Sequence, residues 1–198
     1  MCDGIISEHG VVYNELNYCS SCYQAAFDSA LYFDDIHDKI PKQFEPPTEV
    51  IPNLFIGTIN SINKDELDKL NIKAIVIAGK RLKKDTHHKF IFHELLIDDS
   101  LEQDMNESFI SSIKFIDDNI SDSSKVLIHC YGGISRSSSL LINYIMHVNK
   151  LDYHEAHSYV KSKYKNAHPN SSFITQLMKL NYNQPCSQTA DVAEVSIE

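Results

Sequence analysis

VLIHCYGGISRSSSL, residues 126–140, is the most informative stretch of this 198-residue chain. It has the pattern of an apolar strand that ends at His129 and Cys130, a loop that contains glycine, and a helix that begins at Arg136. A strand, loop and helix in this order direct successive backbone N–H groups into one concavity at the helix N-terminus. A dianionic phosphate group fits such a concavity.

The residue types of this stretch suit phosphate chemistry. Cys130 lies where the helix dipole and the loop amides stabilise a thiolate, a nucleophile that forms a covalent intermediate with phosphorus. Arg136 presents a planar fork that can hold two phosphate oxygens. We expect Ser137 to donate its hydroxyl to the sulfur when the thiolate leaves, and His129 to orient the loop through ring hydrogen bonds. A buried structural cysteine beside a turn is the alternative, which this combination of residues disfavours.

The interior of the loop is expected to bind phosphate through its backbone. Gly132 and Gly133 allow a tight turn in which no Cβ collides with the anion. Contacts to the substrate are therefore predicted for six consecutive residues: Tyr131, Gly132, Gly133, Ile134, Ser135 and Arg136.

Outside the loop, strand and helix patterns alternate from Val50 onward. Strands are predicted at residues 53–57, 73–78, 90–97 and 125–129. Helices are predicted at residues 64–70, 105–120 and 136–148, after the Asp152-x-x-Glu155 capping box, and from near Asn170. This alternation predicts an α/β fold, with a sheet covered by helices on both faces.

Charge and hydropathy disfavour several classes of function. The formal net charge is −9, which disfavours binding to nucleic acid or to an anionic membrane surface. Asp, Lys or Asn interrupts every apolar run, so no transmembrane helix is predicted. The first residues lack a basic start followed by an apolar segment, so we expect no secretory signal. The expected location is the cytosol, with the nucleus as a second compartment.

The chain has five cysteines, an odd and scattered set that argues against a disulfide framework. Cys19 and Cys22 form a single CxxC pair, which needs two further ligands to hold zinc. Cys2, His9 and His37 are the nearby candidates in sequence. Ordinary reduced thiols are the simpler interpretation.

HCYGGISRS, residues 129–137, resembles the HCx5RS signature of the dual-specificity protein phosphatases, within the wider cysteine-phosphatase superfamily. The resemblance continues in residues 50–76, 142–161 and 168–177, the last of which is HPNSSFITQL. It implies a central, mostly parallel sheet, no metal or organic cofactor, and hydrolysis of phosphotyrosine and phosphoserine/phosphothreonine in proteins. Gly132 stands where the family commonly has alanine, and Tyr131 follows the cysteine where many other side chains occur.

The resemblance also implies a division of the chain. We expect a catalytic domain over residues 49–184, preceded by an N-terminal extension (1–48) that is partly helical or disordered and followed by a flexible tail (185–198). An apolar helical stripe in the extension either packs on the domain or binds a protein partner; its members are Tyr23, Phe27, Ala30 and Leu31. With about 48 residues before the domain, we expect no further docking domain and a small, atypical member of the family.

A cysteinyl-phosphate route needs a proton donor for the departing oxygen. The candidates follow the strand at residues 90–97: Asp98, Asp99, Glu102 and Asp104. Counting back from Phe115-Ile116-Asp117, which resembles a recurring helix motif of the family, favours Asp99 as the general acid and leaves Asp98 open. Alternatively, both aspartates only favour the start of the next helix.

The sequence favours phosphoproteins as substrates. The loop interior, residues 131–135, has no Lys or Arg, whereas relatives that act on lipids commonly carry basic residues there. A phosphoinositide phosphatase, an RNA 5′-phosphatase and a non-catalytic phosphoprotein-binding module are the alternatives. A basic tract at residues 79–89 either steers acidic phosphopeptides or is a solvated loop.

Overall fold

The computed structural model describes residues 11–13, 16–18, 44–80, 82 and 90–182. The chain divides into two compact units, Met1–Gln43 and Phe44–Glu198. In the first unit, β1 (Val11–Tyr13) and β2 (Leu16–Tyr18) pair in antiparallel fashion. The predicted helix near Phe27, the Cys19/Cys22 pair, most of the basic tract and the tail lie outside the described residues.

The second unit is built on a five-stranded sheet. Its strands are β3 (Thr48–Ile51), β4 (Leu54–Gly57), β5 (Ile72–Ala78), β6 (Ile91–Leu95) and β7 (Lys125–His129). Their order in the sheet is β3-β4-β7-β5-β6, with every pair parallel except β3–β4. The mostly parallel α/β sheet is thus confirmed.

The edge strand β3 was not predicted. Two prolines, Pro46 and Pro47, precede it, and this composition is typical of a loop. The local signal for β3 is the turn that follows, in which Asn53 adopts a left-handed conformation with φ of 69°. Asparagine tolerates that conformation better than most residues, so Pro52-Asn53 can reverse the chain directly into β4.

Five helices lie at the predicted places in the described part of this unit. They are α1 (Lys64–Lys69), α2 (Asn106–Asn119), α3 (Arg136–Asn149), α4 (Tyr153–Lys163) and α5 (Ser171–Met178). A short 3₁₀ turn, Ile59–Ser61, follows β4. The predicted capping box at α4 is present, since Asp152 accepts from the Glu155 backbone and Glu155 accepts from the Asp152 backbone. Among the described residues, no helix has both the length and the apolar character to cross a membrane.

Alternation along the strands divides the core into two layers. On one face, Ile75 and Leu127 pack with Leu67 of α1. On the other face, Val76 and Ile128 pack in the larger cluster, to which the other four helices contribute. Helices therefore cover both faces, as predicted. The carboxyl end of the central strand β7 is joined by the loop of residues 130–135 to the N-terminus of the buried helix α3. This end of the strands is where α/β sheets commonly bind ligands.

Candidate active site

The loop between β7 and α3 surrounds the sulfur of Cys130. This residue is only 1% exposed, and its sulfur makes polar contacts inside the loop. The backbone N–H of Gly133 donates to Sγ across 3.2 Å, and the hydroxyl of Ser137 lies 3.1 Å from the same sulfur. Both groups can donate to a sulfur anion, and Cys130 also belongs to the larger apolar cluster.

Two more serines in the first turn of α3 hold the loop. The Ser138 hydroxyl donates to the carbonyl of Gly133 (3.1 Å), and the Ser139 hydroxyl donates to the carbonyl of Ser135 (2.8 Å). Both serines are fully buried. Of the three serines in this turn of α3, the sequence predicted a role for Ser137 alone. A run of serines at the start of an otherwise apolar, buried helix is the signal that could have indicated the other two.

Gly133 has a backbone that other residues rarely adopt. Its φ is +69°, and a Cβ there would lie 2.3 Å from the Tyr164 hydroxyl and 3.1 Å from the carbonyl oxygen of Gly57. Tyr164 therefore packs directly on the loop. Burial, followed by the charges of a Cys130 thiolate and of Glu45, raises the pKa of Tyr164 to about 12, although a hydrogen bond to Asn166 opposes the shift. No local pattern in the sequence pointed to Tyr164.

Arg136 closes the loop and is buried, with 7% of its surface exposed. Its Nε lies 3.6 Å from Oδ2 of Asp99, and its Nη1 lies 3.0 Å from the place that a Cβ on Gly79 would occupy. Gly79, just after β5, thus leaves room for the guanidinium. At this distance the buried guanidinium and the carboxylate form an ion pair beside the loop.

The structure separates the acid candidates. Asp99 lies against the loop with 17% of its side chain exposed. Its Oδ1 accepts from the hydroxyl of Ser135 (2.7 Å) and from the side-chain amide of Asn170 (2.9 Å). Asp98 is half exposed and forms an ion pair with Lys80.

The other two acidic residues of this segment are exposed. Asp104 accepts from the backbone N–H of Asn106 (2.9 Å), so it is Asp104, not Asp98 or Asp99, that serves the start of α2. Glu102 has no contact that brings it to the loop among those the structure describes.

His129 lies beneath the loop and is 2% exposed. Its Nδ1 is 3.3 Å from the carbonyl oxygen of Cys130. Burial lowers the pKa of His129 to about 4; the contact with the Cys130 carbonyl opposes this shift and the charge of Arg136 adds to it. A ring that stays neutral suits an orienting contact better than proton transfer at neutral pH.

Neighbouring segments hold the outer side of the loop. The backbone N–H of Ile59 donates to the carbonyl of Tyr131 (3.0 Å), and that of His168 donates to the carbonyl of Ile134 (2.8 Å). Glu45 accepts from Thr58 Oγ1 across 2.8 Å. Tyr131, Gly132 and Ile134 are partly exposed, whereas Gly133 and Ser135 are buried. In the described part of the chain, no three His, Cys, Asp or Glu side chains are grouped to hold a metal ion.

Comparison with known sequences gives a consistent result. Residues 54–183 match the family model described as dual specificity phosphatase, catalytic domain. Human dual specificity protein phosphatase 7 is 33% identical over 151 residues, which cover 73% of this chain and 36% of that protein. Xenopus laevis dual specificity protein phosphatase 1-A is 30% identical over 155 residues, which cover 76% of this chain and 42% of that protein. The chain thus spans less than half the length of either relative.

Solved structures with the same fold include two with related sequences. A human tyrosine phosphatase-like serine/threonine/tyrosine-interacting protein superposes with a TM-score of 0.62 and 31% identity, covering 66% of this chain and 92% of that one. DUSP15 superposes with a TM-score of 0.63 and 26% identity, covering 67% and 85%.

Proposed function

Because the chain belongs to the dual-specificity phosphatase family, we propose that it hydrolyses phosphotyrosine and phosphoserine/phosphothreonine in proteins, with Cys130 as the nucleophile. One observation carries the proposal. The sulfur of Cys130 receives the Gly133 amide and contacts the Ser137 hydroxyl, within a loop that is closed by the buried guanidinium of Arg136. This is an anion cradle with a nucleophile at its base.

In the first step, the loop amides and Arg136 hold the phosphate while the thiolate of Cys130 attacks phosphorus in line. The sulfur–phosphorus bond forms as the bond from phosphorus to the ester oxygen breaks. Asp99 gives a proton to the departing oxygen, which leaves as a hydroxyl group. This proton matters most for seryl and threonyl esters, because an alkoxide is a poor leaving group.

In the second step, water attacks the phosphocysteine. Ionised Asp99 accepts a proton from this water as the oxygen–phosphorus bond forms, so the same carboxyl group acts first as acid and then as base. The sulfur–phosphorus bond breaks and inorganic phosphate leaves. The Ser137 hydroxyl, 3.1 Å from Sγ, can donate to the sulfur as its negative charge returns.

Charge favours a phosphoprotein over the lipid and RNA alternatives. Extra phosphates on an inositol ring need cations close to the loop, and residues 131–135 contain none. Glu45 places a carboxylate near Tyr164 and the loop, which further disfavours a polyphosphorylated ligand. The net charge of −9 opposes binding to an RNA backbone.

A phosphoprotein-binding module is the second candidate. The likeness to a phosphatase-like interacting protein, at 31% identity, favours it. Against it, the chain retains the nucleophile, the arginine and the aspartate that hydrolysis needs: Cys130, Arg136 and Asp99. We therefore place hydrolysis first.

Peptide hydrolysis combined with trapping of the intermediate tests the proposal. We expect phosphate release from both a phosphotyrosyl and a phosphothreonyl peptide, and little from a soluble phosphoinositide. Rapid acid quench followed by mass spectrometry should place one phosphoryl group on Cys130. Peptide binding without hydrolysis would instead indicate the binding module, and release from the phosphoinositide alone would indicate a lipid phosphatase.

Two further assignments belong to this proposal: a role of residues 1–48 in binding a protein partner, and a location in the cytosol and nucleus. They rest on the sequence patterns described above.

The backbone of Gly133 leads to a prediction with a matched control. Gly133→Ala should lower kcat/KM for an aryl phosphate by about 10²-fold and destabilise the domain by about 2 kcal/mol, because alanine is strained at a φ of +69° and its Cβ collides with Tyr164. Gly132→Ala should stay close to wild type, because Gly132 has no positive φ and the family commonly carries alanine at this position. Initial rates and urea unfolding measure both effects. Equal behaviour of the two alanine variants would contradict the assigned strain.

A further inference from the structure

Helix α5 begins with a side chain that contacts the proposed acid. The Oδ1 of Asn170 accepts from the backbone N–H of Phe173 (3.0 Å) and so caps the helix. The other end of the same amide, Nδ2, donates to Oδ1 of Asp99 (2.9 Å). Asn170 belongs to the HPNSSFITQL motif, which the mechanism above does not use. The cap and the contact with the acid employ different atoms and are therefore separable.

Ser135 completes a closed set of hydrogen bonds. The backbone N–H of Asn170 donates to Ser135 Oγ (3.1 Å), and this hydroxyl donates in turn to Oδ1 of Asp99 (2.7 Å). Oδ1 thus accepts two hydrogen bonds, which occupy both lone pairs of a carboxyl oxygen. A proton on this carboxyl group has its place on Oδ2, the oxygen that faces Nε of Arg136 at 3.6 Å.

The same helix also holds the backbone of the segment that carries the acid. The side chain of Gln176 donates to the carbonyl of Gln103 (2.8 Å) and accepts from the backbone N–H of Met105 (2.8 Å). The side chain of Gln103 accepts from the backbone N–H of Asp98 (2.9 Å). Residues 98–105 are therefore fixed to α5 at both ends, with Asn170 at the catalytic end.

We propose that Asn170, together with Ser135, is a positioning residue for the general acid: it holds Oδ1 of Asp99 so that Oδ2 presents the proton to the departing oxygen. The inference rests on the proposed function. It predicts that the loss of kcat/KM on substituting Asn170 grows with the need of the leaving group for a proton. A residue that only caps the helix would cause the same loss with every leaving group.

The test compares leaving groups in an Asn170→Ser variant. Serine caps helices about as well as asparagine but has no amide to donate to Asp99. With 4-nitrophenyl phosphate, whose leaving group departs without a proton, we expect a small loss in kcat/KM. With phenyl phosphate and a phosphothreonyl peptide, we expect a loss of about 30-fold, because protonation assists their departure. The slope of log kcat/KM against leaving-group pKa should approach that of Asp99→Asn.

Three further variants sharpen the result. Asn63, the cap of α1, accepts from the Glu66 backbone and lies outside the site, so Asn63→Ser is a matched cap change that should leave the slope unaltered. In the double variant of Asp99→Asn with Asn170→Ser, the second change should add little, since both act through one proton. If Asn170→Ser does not fold, Ser135→Ala removes the other donor to Oδ1 and should steepen the same slope.

The outcomes distinguish this inference from the function it rests on. Equal losses on all substrates, or losses that add to those of Asp99→Asn, would show that Asn170 only caps the helix. If Asp99→Asn steepens the slope and neither Asn170→Ser nor Ser135→Ala does, the positioning role fails and the phosphatase stands. If the wild-type chain hydrolyses no phosphate ester, the proposed function fails first.

Discussion

Cys130→Ser should lower kcat for an aryl phosphate at least about 10⁴-fold, the scale on which losing the nucleophile costs a covalent catalyst. The substitution exchanges one atom for a slightly smaller one and keeps the contacts to Gly133 and Ser137 within reach. A serine hydroxyl, however, stays protonated at neutral pH and attacks phosphorus poorly. Chemistry is removed while the anion cradle is retained.

Initial rates, together with calorimetry of inorganic phosphate binding, separate these two properties. We expect phosphate to bind Cys130→Ser about as tightly as the wild type, because the loop amides and Arg136 remain. Cys186→Ser is the matched control, a thiol at a position that the mechanism does not use, and should keep full activity. Hydrolysis by Cys130→Ser within tenfold of the wild type would rule out the cysteinyl-phosphate route.

Arg136→Lys should lower kcat/KM about 10³-fold although the charge is preserved. The guanidinium holds two oxygens at once and stabilises charge that spreads over the transferring phosphoryl group, an effect worth about 10³-fold or more in phosphoryl transfer. A lysine ammonium is a strongly hydrated point charge without the planar fork. Because this position is buried, with 7% exposed, a lysine there would lose that hydration at a large cost in free energy.

Arg81→Lys is the matched control, since it makes the same chemical change at the other arginine of the chain. We expect no loss for Arg81→Lys, and we expect Arg136→Lys to bind inorganic phosphate more weakly than the wild type. Circular dichroism should show both variants folded. Wild-type kinetics in Arg136→Lys would mean that charge alone suffices and that the fork does not hold the phosphate.

Local patterns predicted the elements and the loop, whereas contacts between distant residues were beyond them. Hydrophobic periodicity is a property of a short window, so β7 and α3 emerged with nearly their observed bounds. Asn170 lies 71 residues from Asp99, and nothing in either segment indicates that the two side chains meet. The contacts of Tyr164 with Gly133, and of Gly79 with Arg136, were likewise not predicted from the sequence.

The choice between Asp98 and Asp99 shows that local patterns cannot assign one of two neighbouring loop residues to the site. Both follow β6 in sequence, and a loop has no fixed period that assigns one of two neighbours to the site. Only the resemblance favoured Asp99, and only the tertiary contacts show that it meets Arg136 while Asp98 meets Lys80. The edge strand β3 was missed for a related reason, because its pairing with β4 depends on a turn rather than on its own composition.

Burying His129 links folding to proton uptake. The folded chain protonates this ring near pH 4, whereas an unfolded chain does so near the ordinary value of 6.5. Above pH 6.5 neither state carries the proton, so the neutral ring contributes its full stability there. As the pH falls from 6.5 towards 4, this ring gains a proton in the unfolded state alone, and its contribution to the free energy of unfolding decreases by about 1.4 kcal/mol for each pH unit. Acidification below pH 6.5 should therefore destabilise the fold that carries the nucleophile.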